Sequence, residues 1–164
     1  MPLSREDFFS IMSAFPTGVA IVTTLDANDE PKGLTTNAIC SVSAEPPLLL
    51  VCVDSASRTL PALRHSQRFV VNFMSDGAAE LCARFASKAE DKFDGVPWEP
   101  GLAGMPLLAE EALAYAECAV EQELGAGDHV IFVGLVESGR PPDPDSVPIL
   151  YYRRSYGSIW TAAS

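Results

Sequence analysis

The feature that most restricts this chain is the alternation of residues 32–43, KGLTTNAICSVS. Counted in steps of two, Leu34, Thr36, Ala38, Cys40 and Val42 share one face, and Thr35, Asn37, Ile39, Ser41 and Ser43 share the other. One face is mainly apolar; its opposite carries a row of hydroxyl and amide groups. Such a strand belongs in a sheet that buries one side and offers hydrogen bonds on the other. Turn chemistry brackets it, with 26–31 before and Pro46-Pro47 after.

Further strands follow from β-branched or apolar runs at residues 18–25, 48–53, 69–74, 112–124, 129–136 and 147–154, with 48–53 apolar enough to be central. A hairpin turn is expected over 125–128. Helical spacing is confined to three places. Ser4 with Asp7 forms a capping box ahead of Phe8, Ile11, Met12 and Phe15. Ser57–Thr59 opens a short helix through Leu60 and Leu63, and Asp76 caps an amphipathic helix through Leu81, Cys82, Phe85 and Ala86. Strands and helices do not alternate as βαβ units, so the expected fold is β-dominated, an antiparallel β-barrel with peripheral helices. The 164 residues suit one domain over 1–164.

Several function classes fall away. The net charge of −11 argues against nucleic acid and anionic membranes. No apolar run reaches the ~18 residues of a membrane span, and the acidic N-terminus lacks a signal-peptide profile. The four cysteines are scattered, without a CxxC, which predicts free core thiols and a cytoplasmic location. With two histidines and no paired cysteines, no metal site is expected. Phosphate-loop, HExxH and G-x-S-x-G signatures are missing.

The charge is uneven. Residues 58–92 hold six basic and four acidic side chains, leaving five basic and eighteen acidic elsewhere. That basic middle is where a small anion would bind, although a solvated surface accounts for it equally. Four weak constellations coincide with it or flank it. Ser55, Ser57, Arg58 and Thr59 sit at a helix start, where free N–H groups favour an anion or simply serve the cap. Lys88 and Lys92 are spaced to neutralise a phosphate, or to sit in solvent. Tyr151–Tyr156 joins aromatics to arginines that could stack on a ring or pin a phosphate. His129 opens a strand at the mouth of a hairpin, where it is either structural or a donor to an amide or phosphate oxygen. Together they suggest a phosphate-bearing aromatic ligand.

The order of short motifs is informative. Pro16-Thr-Gly-Val-Ala-Ile-Val-Thr23, Gly33-Leu-Thr-Thr-Asn-Ala38 and Ser41-Val-Ser-Ala-Glu-Pro-Pro-Leu48 are followed by Arg68-Phe-Val-Val-Asn72, Arg84-Phe-Ala86, Lys92-Phe93 and Gly127-Asp-His129. This series, over about residues 8–157, resembles the flavin reductase-like, split-barrel flavin-binding family. The resemblance implies a split β-barrel, a homodimer, and an NAD(P)H:flavin oxidoreductase that passes reduced flavin to a separate monooxygenase, in aromatic or natural-product hydroxylation. It implies FAD (or FMN) and NADH (or NADPH) as cofactors.

By the same resemblance, Thr35, Thr36, Asn37 and Ala38 would line the isoalloxazine or ribityl chain. Asp54, Ser55, Ser57 and Thr59 would surround the phosphate, with Phe85, Ala86, Ser87, Lys92 and Phe93 closing the other side. His129 would contact the nicotinamide, and Arg153, Ser155 and Tyr156 the dinucleotide. Ala38 and Ala56 replace residues that are often hydroxyl-bearing in relatives, which leaves FAD against FMN open. A non-catalytic flavin store would share the barrel but need neither His129 nor Tyr151–Tyr156. An oxidase of an aminated pyridoxal phosphate precursor would need a further basic cluster for the substrate phosphate.

Overall fold

The computed structural model describes residues 1–159. Its first element is the helix α1 (Arg5–Ser13), capped by the Ser4 side chain, which accepts from the Asp7 N–H at 3.1 Å. The chain then forms β1 (Thr17–Gly18), β2 (Ala20–Leu25), β3 (Pro31–Thr36), β4 (Ile39–Ala44) and β5 (Pro47–Asp54). Helix α2 (Leu60–Ser66) leads to β6 (Arg68–Met74), and α3 (Ala79–Ala86) to the short strands β7 (Glu99–Pro100) and β8 (Pro106–Leu107). The long hairpin of β9 (Ala112–Ala126) and β10 (His129–Arg140) follows, then β11 (Ile149–Tyr152) and β12 (Ser155–Ser158).

Seven strands form one antiparallel sheet in the order β3-β2-β6-β9-β10-β5-β4. β3 on one edge runs directly into β4 on the other through Asn37 and Ala38, which closes the sheet as a split barrel. Ala38 already lies on the β5 side of that corner, its carbonyl accepting the Cys52 N–H at 3.0 Å, and on the β3 side the Thr36 hydroxyl reaches the Cys52 carbonyl at 3.5 Å. β1, β11 and β12 make a separate three-stranded sheet beside it.

Two apolar layers hold the barrel. Ala20, Val22, Val51, Val53, Phe69, Val71 and Phe132 fill its interior. Val19, Ile21, Met74, Cys82, Phe85, Leu108 and Ile149 pack α3 and β11 against the outside. β2 is therefore buried on both faces. Asn72 ties the layers: its amide donates to the Ile21 carbonyl and the Thr23 hydroxyl, both at 3.0 Å, and accepts from the Leu108 N–H at 2.9 Å.

The structure revises several expectations. Residues 32–43 are two strands, β3 on β2 and β4 on β5, so the alternation predicted as one continuous strand breaks at the corner. Beyond it, Ile39 packs against the interior while Cys40 and Val42 are exposed. β5 is next to an edge of the sheet, and only Leu49, Val51 and Val53 of its apolar run are buried. Asp76 does not cap α3, because the helix starts three residues later with Ala78 at its N-cap; the Asp76 N–H donates to the Val147 carbonyl at 2.9 Å. The last strand is a hairpin, β11–β12, and the turn of the long hairpin is Gly127-Asp128 alone. Cys82 and Cys118 are buried as expected, whereas Cys40 is exposed; all four thiols are free. Burial pushes the Cys82 thiol up to about 11 and Cys118 up to about 12.

Candidate functional site

A cleft of about 600 Å³ opens at the β3–β4 corner. Leu34, Thr35, Thr36, Asn37 and Ala38 form one wall, and Cys52, Asp54, Ala56, Ser57 and Arg58 a second. Phe85, Ala86, Ser87, Lys88, Ala89 and Lys92 form a third, and His129 stands at the start of β10. An adjoining pocket of about 180 Å³ shares Thr35, Thr36, Asn37 and Ala86, and adds Val19, Tyr151 and Tyr156.

The corner is built by side chains that bond locally. The Thr35 hydroxyl donates to the Cys82 carbonyl at 2.7 Å, which fixes α3 to β3. The Thr36 hydroxyl accepts from the Ala38 N–H at 3.1 Å, and Asn37 donates to the Thr17 hydroxyl at 3.1 Å. α3 can lie close to β3 only because residue 33 is glycine. A Cβ there would stand 2.7 Å from the Phe85 ring.

The cleft is cationic at one end. Lys92 donates to the Phe85 carbonyl at 2.7 Å and the Gly33 carbonyl at 3.3 Å. Partial burial lowers its pKa from the usual lysine range, and the Arg58 charge adds to that. Arg58 donates to the Lys88 carbonyl at 3.0 Å and pairs with Glu90 at 3.6 Å, linking the turn after β5 to the loop after α3. Arg58, Lys88 and Lys92 thus face a single lining carboxylate, Asp54. In a chain of net charge −11, this concentration suits an anionic ligand.

Not every expected residue lines these pockets. Thr59 is buried, and its hydroxyl donates to the Gly33 carbonyl at 2.9 Å. Ser55 uses its N–H on the Asp128 carbonyl at 3.0 Å. Phe93 lies behind Phe85, edge to face at 4.9 Å. Arg153 and Ser155 lie at the β11–β12 turn, where the Arg153 guanidinium stacks on Tyr152. α2 begins at Leu60, which is buried like Thr59 before it, and neither residue lines the cleft. The N–H groups of Ala56 and Ser57 are taken by Asp54 itself, at 2.7 and 2.9 Å. The Ser57 hydroxyl, which accepts the Thr59 N–H at 3.3 Å, and the Arg58 side chain also belong to that wall. Val19, Leu34, Cys52 and Ala89 line the pockets without having been expected there; period two on β5 places Cys52 opposite the buried Val51 and Val53.

His129 pairs across the sheet with Asp54, and its Nδ1 lies 2.7 Å from Asp128 Oδ1. That contact holds the Asp128 carboxyl below the usual range. Among the described residues, no cluster of ligating side chains could hold a metal, and no helix is long and apolar enough to cross a membrane.

Fold and cleft together define a split-barrel protein suited to a ligand with an apolar body and an anionic tail. The sequence matches the flavin reductase like domain over residues 12–159, and the chain belongs to that family. It is 49% identical to a flavin reductase (NADH) of Kitasatospora aureofaciens over 152 residues, which is 92% of this chain and 80% of the relative. It is 38% identical over 158 residues to the reductase subunit HsaB of a flavin-dependent monooxygenase of Mycobacterium tuberculosis strain H37Rv, covering 96% of this chain and 83% of that one. The solved structure of the Streptomyces globisporus C-1027 NADH:FAD oxidoreductase SgcE6 with NAD and FAD fragments superposes with a TM-score of 0.88. Its identity is 32%, over 100% of this chain and 99% of that chain.

The donor set fits a flavin phosphate ester. Apolar side chains (Leu34, Ala38, Phe85 and Ala86), amide and hydroxyl groups, and three cations line one cleft.

Proposed function

We propose that this chain is an NAD(P)H:flavin oxidoreductase, the reductase half of a two-component monooxygenase. The observation that carries the reading is the cleft, where an apolar corner, a cationic end and His129 meet within one cavity. When bound, the nicotinamide supplies the hydride and the flavin accepts it. The chain supplies position and charge. Thr36, Asn37 and Ala38 face the ring system and ribityl chain. Ser57, Arg58, Lys88 and Lys92 hold the phosphate end. His129 orients the nicotinamide, with Tyr151 and Tyr156 offering aromatic surface in the adjoining pocket. Aligning two rings with reacting atoms ~3–3.5 Å apart is itself a large rate effect, so no nucleophile or metal is required.

Two finer points belong to the same proposal. The exposed Phe8, Ile11, Met12 and Phe15 of the N-terminal segment support a homodimer. Free, scattered thiols support a cytoplasmic location.

Oxidation of NADH or NADPH by the purified protein, with and without added FAD or FMN, tests the reading. The expected result is turnover that depends on flavin and saturates in both substrates. Flavin binding without consumption of either dinucleotide would favour a storage protein. His129→Ala should raise KM for the dinucleotide while retaining partial turnover, and complete loss at saturating dinucleotide in a folded protein would make His129 essential to the chemical step.

A further inference from the structure

His129 has two carboxylates beside it, and the structure separates their roles. Asp54, its cross-strand partner, turns back on its own loop: its Oδ1 accepts the Ala56 N–H at 2.7 Å. Asp128 does not. It is the second residue of the two-residue turn joining β9 to β10, after Gly127 at φ 63°, the position that a type II′ turn reserves for glycine. Its carbonyl accepts the Ser55 N–H at 3.0 Å, anchoring the turn to the strand that lines the cleft. Its side chain has one protein hydrogen-bond partner among the described residues, the imidazole Nδ1 at 2.7 Å.

We propose that Asp128 is a positioning residue that fixes the tautomer and rotation of His129, so that Nε2 is the ring nitrogen presented to the dinucleotide. A carboxylate can only accept, so the nitrogen facing it carries the proton. The neutral ring is then Nδ1–H, and its unprotonated Nε2 is an acceptor for an N–H group such as that of a carboxamide. Without Asp128 the ring is free to rotate or to take the other tautomer, which would present a donor in place of that acceptor. Gly127, Asp128 and His129 therefore act as turn, brace and contact. The inference rests on the reading of His129 as the group that meets the nicotinamide.

The test separates the brace from that reading. Protein labelled with 15N-histidine, with no ligand added, is studied by two-bond proton–nitrogen correlation at about pH 8.5, where an imidazole is neutral. His65, exposed and without an ion-pair partner among the described residues, is the internal reference. His129 should carry its proton on Nδ1. Asp128→Ala should move it toward the His65 pattern, and Asp128→Glu should restore it. A wild-type ring protonated on Nε2, or an unchanged Asp128→Ala spectrum, overturns the proposal. In steady state Asp128→Ala should raise KM for NADH roughly threefold to tenfold, the span of one oriented hydrogen bond, with kcat nearly unchanged. If the tautomer shifts as expected but neither Asp128→Ala nor His129→Ala alters that KM, the brace stands and the nicotinamide reading fails.

Discussion

Gly33 shows how much of the cleft turns on single atoms. Its carbonyl accepts from both Thr59 and Lys92, and its missing side chain lets the Phe85 ring lie against β3. Thr59, expected to meet a phosphate, instead helps hold the strand that carries the site. Gly33→Ala should cost about 1–3 kcal/mol, because the added methyl meets a ring packed edge-on against Phe93 and the core must shift. Denaturant unfolding should record that loss, and flavin titration a weakened affinity, since Phe85 lines the cleft; unchanged values in both would mean the ring yields freely. Lys92 gives a pH signature. Its ammonium is partly desolvated, so it loses its proton below the usual lysine range. Flavin affinity should therefore fall with rising pH earlier than ordinary lysine titration would bring about. A Lys92→Met protein should bind more weakly and lack that phase. The sign for stability is opposite. Between the lowered value and the ordinary one the unfolded chain binds more protons, so this lysine makes stability rise with pH there.

At the scale of elements, period and turn chemistry were legible where structure is local. Most strands of the main sheet, the capped helix α1 and the turn ahead of His129 follow from residue spacing and from Gly127. The cleft's corner was not legible as a corner. Asn37-Ala38 contains neither glycine nor proline, and β3 and β4 part only because one pairs with β2 and the other with β5. That choice is made by long-range pairing. The hairpin β11–β12 was hidden for a different reason. Arg153 and Arg154 take φ of 48° and 64°, a left-handed pair that a type I′ turn usually fills with Asn-Gly. Two arginines held there despite their poor intrinsic fit are consistent with a use for their charge. The substitution Arg153→Asn with Arg154→Gly should stabilise the protein by up to about 1 kcal/mol, by relieving the turn. It should also raise KM for the dinucleotide if the arginines meet it, as the family resemblance implied. A more stable protein with unchanged kinetics would remove Arg153 from the site.

For the whole molecule, charge and apolar surface divide the labour. The acidic balance lies outside residues 58–92, whereas the cleft draws Arg58, Lys88 and Lys92 together, so a dianionic phosphate meets a local field opposite to the global one. The apolar surface is concentrated at the N-terminal segment. Helix α1 has no buried residue, yet Phe8, Phe9, Ile11 and Met12 are all exposed on its nine residues. A helix of that length is marginal unless packed, and contiguous apolar surface of this kind marks an interaction site. The helix is also tied to the cleft's surroundings. The Ser13 carbonyl accepts from the Arg153 N–H at 3.1 Å, and Arg5 contributes to the field that lowers the Asp128 carboxyl. A second copy seated on α1 would cover the apolar face beside the site. Sedimentation equilibrium should then give twice the 17.5 kDa chain mass. Phe8→Glu with Ile11→Glu should shift the protein to monomer without unfolding the barrel, since neither side chain is buried in the single chain. If the cleft is completed at that interface, the same variant should bind flavin more weakly, in proportion to the monomer formed. A wild-type chain that sediments as a monomer would overturn the dimer, and a monomeric variant with undiminished flavin affinity would place the whole flavin site within one chain.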